Sequence, residues 1–168
     1  MTLTLTEGLV NAIVTYVEAN LATKLTALNA EYDDGITLLP SVATYKGIKS
    51  LQSIPNYPAF FVISPEQTLR PWGISGATAA IESKPKIYLG VLVIDADEES
   101  LQLRLYRYGR ALIELVLAGQ GTASLGEWSL SADEDWTIDT EVGRFGTQTS
   151  SFVGEVSLGL RANKIETM

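Results

Sequence analysis

The chain has 168 residues, 46% hydrophobic and 19% charged, with 20 acidic against 12 basic side chains and a formal charge of −8. That composition suits a single folded soluble domain over residues 1–168, long enough to bury a core without disulfide or metal staples. Cysteine and histidine are both absent, which excludes disulfides, thiolate nucleophiles, Cys/His metal sites and Ser-His-Asp catalysis, and no cofactor or metal is expected.

Along the chain, Thr4 and Glu7 stand at capping-box spacing. Behind them Leu9, Ile13, Tyr16, Val17, Leu21, Leu25 and Leu28 recur at steps of three and four, which predicts an amphipathic helix of about six turns, ended by Asp33-Asp34-Gly35. The apolar residues near the start are interrupted by Asn11, Thr15 and Glu18 and have no basic segment before them, so neither a signal peptide nor an anchor is expected. Residues 59–63, entered through Tyr57-Pro58, read as a buried strand closed by Pro65. Residues 66–85 hold Pro71, Gly73 and Gly76 around an Arg70-Pro71-Trp72 cluster and read as a long variable loop. Residues 86–94 are apolar on both faces and predict a central strand, far short of the roughly 20 residues that span a bilayer.

A second helix follows, with Leu101, Leu105, Tyr108, Leu112 and Leu115 on one stripe and Gly119 in the C′ position. Three further strands are expected near 127–130, 136–142 and 152–161. In the last, Val156, Leu158 and Leu160 alternate with Glu155, Ser157 and Arg161. Short strand-to-strand connections in both halves favour an α+β fold, a mostly antiparallel sheet with two long helices packed on one face.

Charge is uneven. Residues 1–94 are nearly neutral, while residues 95–168 hold thirteen acidic and six basic side chains. Between 127 and 141, Glu127, Asp133, Glu134, Asp135, Asp139 and Glu141 meet no Lys or Arg. Such a surface repels phosphate backbones and disfavours nucleic acid as a bound ligand. The run Asp95-Ala96-Asp97-Glu98-Glu99 could gather a divalent cation, but acids there more simply cap a helix and complement its dipole. Ser83-Lys84-Pro85-Lys86 matches a Ser-x-x-Lys pattern without the helical turn that pattern needs, and Gly47-Ile48-Lys49-Ser50 lacks the first glycine of a phosphate loop. Arg104, Arg107 and Arg110 lie largely off the second helix's apolar stripe. With Trp72, Trp128 and Trp136 in loop-like segments, they are candidate interface residues, since Arg and Trp are common anchors.

A long N-terminal amphipathic helix, the proline-entered strand Tyr57-Pro58-Ala59-Phe60-Phe61-Val62, a long loop, a strong strand running into an acid-capped helix and a terminal alternating strand together resemble the tail terminator and head-to-tail joining proteins of tailed bacteriophages. The resemblance implies an α+β subunit of a hexameric ring at the head-proximal end of the tail, ending tube growth and meeting the head connector. It implies no enzymatic activity, assembly in the host cytoplasm, and partners comprising further copies of the chain, the tail-tube protein and the connector. DNA would pass without specific binding, and no membrane is involved. On this reading the acids of 127–141 face the lumen or a neighbouring subunit, Arg70 and Trp72 dock a ring partner, and the three arginines pair across the subunit boundary. Another neck or tail-tube ring protein, a small carboxylate-dependent metal-binding enzyme and a plain binding module remain open alternatives.

Overall fold

A computed structural model describes residues 6–40, 43–47, 54–75, 78–119, 129–130, 136–144 and 151–167. Helix α1 spans Thr6–Tyr32 and buries Leu9, Ile13, Val17, Leu21, Leu25 and Leu28 of the expected stripe together with Val14, while Tyr16 is half-buried. Thr4 of the capping box lies outside the described residues. The helix stops where Asp33 and Gly35 turn left-handed, with φ of 41° and 84°. Gly35 takes this without steric cost and Asp is among the few residues that tolerate it.

After the short strand β1 (Ala43–Tyr45) come β2 (Ala59–Ser75), β3 (Thr78–Asp95), helix α2 (Glu98–Gly119), β4 (Ser129–Leu130), β5 (Thr137–Arg144) and β6 (Phe152–Thr167). They make a six-stranded sheet in the order β1-β2-β3-β6, with β4 and β5 both paired to β6. Among the described residues only the β1–β2 pairing is parallel. Both helices pack on one face, over Phe60 and Val62 of β2, Ile87, Leu89, Val91 and Val93 of β3, and Val156, Leu158 and Leu160 of β6. The fold is the α+β arrangement expected. Each fully buried leucine of the stripes contributes about 1.5–3 kcal/mol, more than most caps supply, so packing rather than propensity holds these helices.

Residues 66–85 are not a loop. Their described part continues β2 and β3 as an antiparallel hairpin in which Arg70 faces Glu82 and Ser75 faces Thr78. Bulges between Ile63 and Glu66 and between Pro71 and Ile74 absorb the irregularities around the prolines. β1 covers β2 only from Ala59 to Phe61. Beyond that point no described residue pairs with β2's outer side, where a proline's missing N–H goes unnoticed. The core under the helices uses β3 only from Ile87 to Val93, so the hairpin runs on past it as an arm, joined by the C-terminal part of β6.

Asp97 precedes α2 as its N-cap, its Oδ2 accepting from the Ser100 backbone N–H at 2.7 Å. Those bonds to Ser100 pull its carboxyl below the usual range. Gly119 is the last residue of α2 rather than its C′ residue. A Cβ there would lie 2.8 Å from the Tyr16 ring, so the glycine serves the approach of the two helices.

The stretch 36–39 has no regular structure, and side chains from both helices bond its backbone at Ile36, Leu38 and Leu39. Asn29 on α1 pairs with Leu38 as a strand would, donating to its carbonyl at 2.9 Å and accepting from its N–H at 2.8 Å. Tyr108 on α2 donates to the Leu39 carbonyl at 2.6 Å and accepts from its N–H at 3.0 Å. Arg107 reaches the Ile36 carbonyl at 3.2 Å, forks onto both carboxylate oxygens of Asp34 and stacks on the Tyr32 ring at 4.0 Å.

The Arg107 guanidinium holds the Asp34 carboxyl at about 2, below its ordinary 3.8. A depressed carboxylate stabilises the fold fully above the unfolded value and loses that contribution as pH falls through the folded one. Asp34→Asn is therefore expected to lower the melting temperature at neutral pH. The gap from the natural chain should narrow as pH drops from 3.8 towards 2, as followed by thermal melts across that interval.

Candidate functional site

Among the described residues, the sheet's second face carries no helix. Strand register sets out its rows, since residues paired across neighbouring strands share a face. One row is Ala59, Leu92, Glu155 and Glu141, and the next is Phe61, Gly90, Ser157 and Asp139. Then follow Ile63, Tyr88, Gly159 and Thr137. Further along the arm come Glu66, Lys86 and Arg161, and finally Arg70, Glu82 and Ile165.

Glycines make room for the aromatic rings of this face. A Cβ on Gly90 would lie 2.4 Å from the Phe61 ring and 2.6 Å from the Val156 carbonyl oxygen. Phe61 thus lies flat over the bare backbone of the neighbouring strand. With Ile54, Ala59 and Leu92, and with Tyr45, Tyr57 and Ile63 against them, it forms a second apolar cluster separate from the main core.

That cluster floors an open hollow of about 420 Å³, which also touches Val153 and is walled on the β5–β6 side by Glu141 and Glu155. Asp139 sits beside them along the same strand, with Glu155 and Tyr88 lining the adjoining depression. Burial, followed by the charges of Glu141 and Asp139, pushes the Glu155 carboxyl up. Among the described residues, Asp139, Glu141 and Glu155 make no hydrogen bond or ion pair. Three uncompensated carboxylates beside an apolar floor suit a cationic side chain on an apolar body, brought by another molecule.

A carboxyl whose folded value is raised destabilises the fold above that value, and the penalty vanishes below the unfolded 4.5. Glu155→Gln should accordingly raise the melting temperature of the isolated chain at neutral pH and leave it unchanged at about pH 4, where the unfolded carboxyl is itself largely protonated.

The arm end of the same face has the opposite character. Arg161 reaches Glu66 at 3.4 Å, Lys84 reaches Glu82 at 3.3 Å, and Lys86 lies over the Tyr88 ring at 5.0 Å. Glu82, nearly buried, also accepts from Asn163 at 3.0 Å. Arg70 is exposed and, among the described residues, makes no hydrogen bond, ion pair or ring contact. One face of one sheet therefore runs from basic at the arm to acidic at the body.

The residues singled out by sequence are distributed differently from that expectation. Arg107, 6% exposed, is bound to Asp34 inside the chain, so it is a structural cation and not a free interface residue. Arg104 pairs with Asp95 at 3.3 Å, and Arg110 with Glu31 and Glu114, each at 2.7 Å. All three pairs are within the subunit rather than across a boundary. Trp136 is half-buried against the main core, which corrects its reading as an exposed anchor. Of the acidic segment, Asp139 and Glu141 are exposed on β5. Glu127, Asp133, Glu134, Asp135, Trp128 and the side chain of Trp72 lie outside the described residues.

Ser83 and Lys86 fall on opposite faces of β3, and the Ser83 hydroxyl accepts from Gln67 at 2.8 Å, so the Ser-x-x-Lys spacing places no amine at the hydroxyl. Among the described residues no helix is long and apolar enough to cross a membrane, and no group of acidic side chains is arranged to hold a metal ion. The hollow escaped sequence reasoning because its residues come from β1, β2, β3, β5 and β6 and from the stretch before β2. The one local signal was the pair Phe60-Phe61, adjacent and both buried, which on a strand requires apolar cover on both faces.

No family model and no curated protein matches the chain. Among solved structures, it is similar to a chain described as the virion of a native gene transfer agent particle, at 12% identity and a TM-score of 0.32, over 88% of this chain and 94% of that one.

Proposed function

We propose that the chain is a structural subunit of a tailed virion, a ring component at the head-proximal end of the tail that ends tube growth and joins the tail to the head connector. The observation that carries the reading is a sheet face left uncovered by the described residues, with its apolar hollow, its unpaired carboxylates and an arm that runs on past the core. A sheet face of this kind is stable in water only at a cost, and its natural cover is another protein surface. The order of elements supports the same reading. So does the excess of acid in the second half of the chain, which would let DNA pass through a ring without adhering.

Disrupting the gene in a virion-producing host tests this. Tails of uncontrolled length without heads are the expected result. Absence of tails would move the chain to the tube, and particles of normal form and infectivity would remove it from the virion.

A further inference from the structure

We infer that subunits join head to tail through the open sheet face, the basic arm of one copy seating its Arg70 and Ile165 against the hollow and carboxylates of the next. The inference rests on the ring reading for its symmetry, and on the charge pattern of this face for its partners. Arg70, Glu82 and Ile165 form one row of the arm, with Glu82 in the middle, and Ile165 is 47% exposed two strands from the unpaired guanidinium. At the body, Glu141 and Glu155 edge a hollow floored by Phe61, Leu92 and Ile54. An exposed arginine and an exposed isoleucine on one row, with the carboxylate between them nearly buried, match a carboxylate-edged apolar hollow in both charge and polarity.

The two ends cannot meet within one chain. Along β3 the arm row lies at Glu82 and the acidic row at Leu92, a separation of about 33 Å at 3.3 Å per strand residue. The match is therefore between copies. A contact that uses two different patches of the same chain propagates around a ring until it closes. In this contact Asp139 and Glu141 face the neighbouring subunit rather than the lumen. It also supplies the cation that Glu155 lacks in the isolated chain.

The absence of cysteine makes the contact directly testable. Ile165→Cys on the arm and Gly143→Cys on the rim of the hollow leave every charge in place, and a Cβ on Gly143 meets nothing within 4 Å. Concentrated protein carrying both substitutions is oxidised and run on denaturing gels without reductant, beside each single-cysteine chain. The expected result is a ladder of covalent multimers beyond the dimer that the single variants cannot form. Adding Arg70→Glu should abolish the ladder, and adding Glu155→Lys as well should restore it. Covalent dimers alone would mean a two-fold, face-to-face pairing and overturn the head-to-tail contact. Cross-linking no greater than in the single variants would overturn the contact itself. If micrographs of the natural chain still showed rings, the ring reading would survive that loss. A ladder together with normal virions after gene disruption would instead keep the contact and remove the function.

Discussion

Tyr108→Ala is expected to cost about 3–5 kcal/mol, the range for truncating a large buried aromatic, and to leave the chain partly unfolded under conditions where the natural protein is intact. Tyr108 is 2% exposed at the centre of the main core. Its hydroxyl, held between the N–H and carbonyl of Leu39, ties the irregular stretch after α1 to α2. Burial pushes the phenol up to about 12, so it remains a donor throughout the neutral range. Tyr108→Phe keeps the ring and loses only the tie, an effect of about 1–3 kcal/mol, the usual net value of the two hydrogen bonds it makes. Urea unfolding of the two variants separates packing from hydrogen bonding. Equal midpoints would show that the tie to Leu39, and not the ring, carries the stability.

Gly90→Ala is the second large effect, expected at about 1–3 kcal/mol from overpacking. The added methyl would lie 2.6 Å from the Val156 carbonyl oxygen, which is backbone and cannot rotate away, and 2.4 Å from the Phe61 ring, which can. The ring must lift, so the substitution should also disturb the floor of the hollow. Thermal melting measures the first consequence and near-ultraviolet circular dichroism, which reports the packing of aromatic rings, the second. Gly143→Ala on the same face is the control. Its Cβ meets nothing within 4 Å, and the melting temperature should stay where it was.

Much of the helical layer was legible because helix periodicity is local. The stripe from Leu9 to Leu28 and the one from Leu101 to Leu115 are each written within a few turns, and both face the core. The alternation of β6 was equally plain, as was the central place of β3. Residues 66–85 failed for the opposite reason. Proline and glycine mark a break in the chain's own propensities, yet on a strand with bulges, whose outer side no described residue pairs with, the pairing of β2 with β3 overrides them. The arginines failed similarly. Spacing along α2 shows which side chains lie off the apolar stripe, but not that Asp34, 73 residues earlier, arrives beside Arg107.

The sequence by itself determined the α+β class, the two helices and the stripes they bury, and the acidic, cysteine-free and histidine-free chemistry of the chain. Those follow from composition and from periods of two and 3.6 residues, which need no partner to be read. The tertiary structure alone decided that, among the described residues, the sheet keeps one face open, that Phe61, Leu92, Glu141 and Glu155 meet around one hollow, and that Arg70 stands unpaired far from it. Strand register places residues from distant stretches side by side, and no local pattern carries the register of one strand against another.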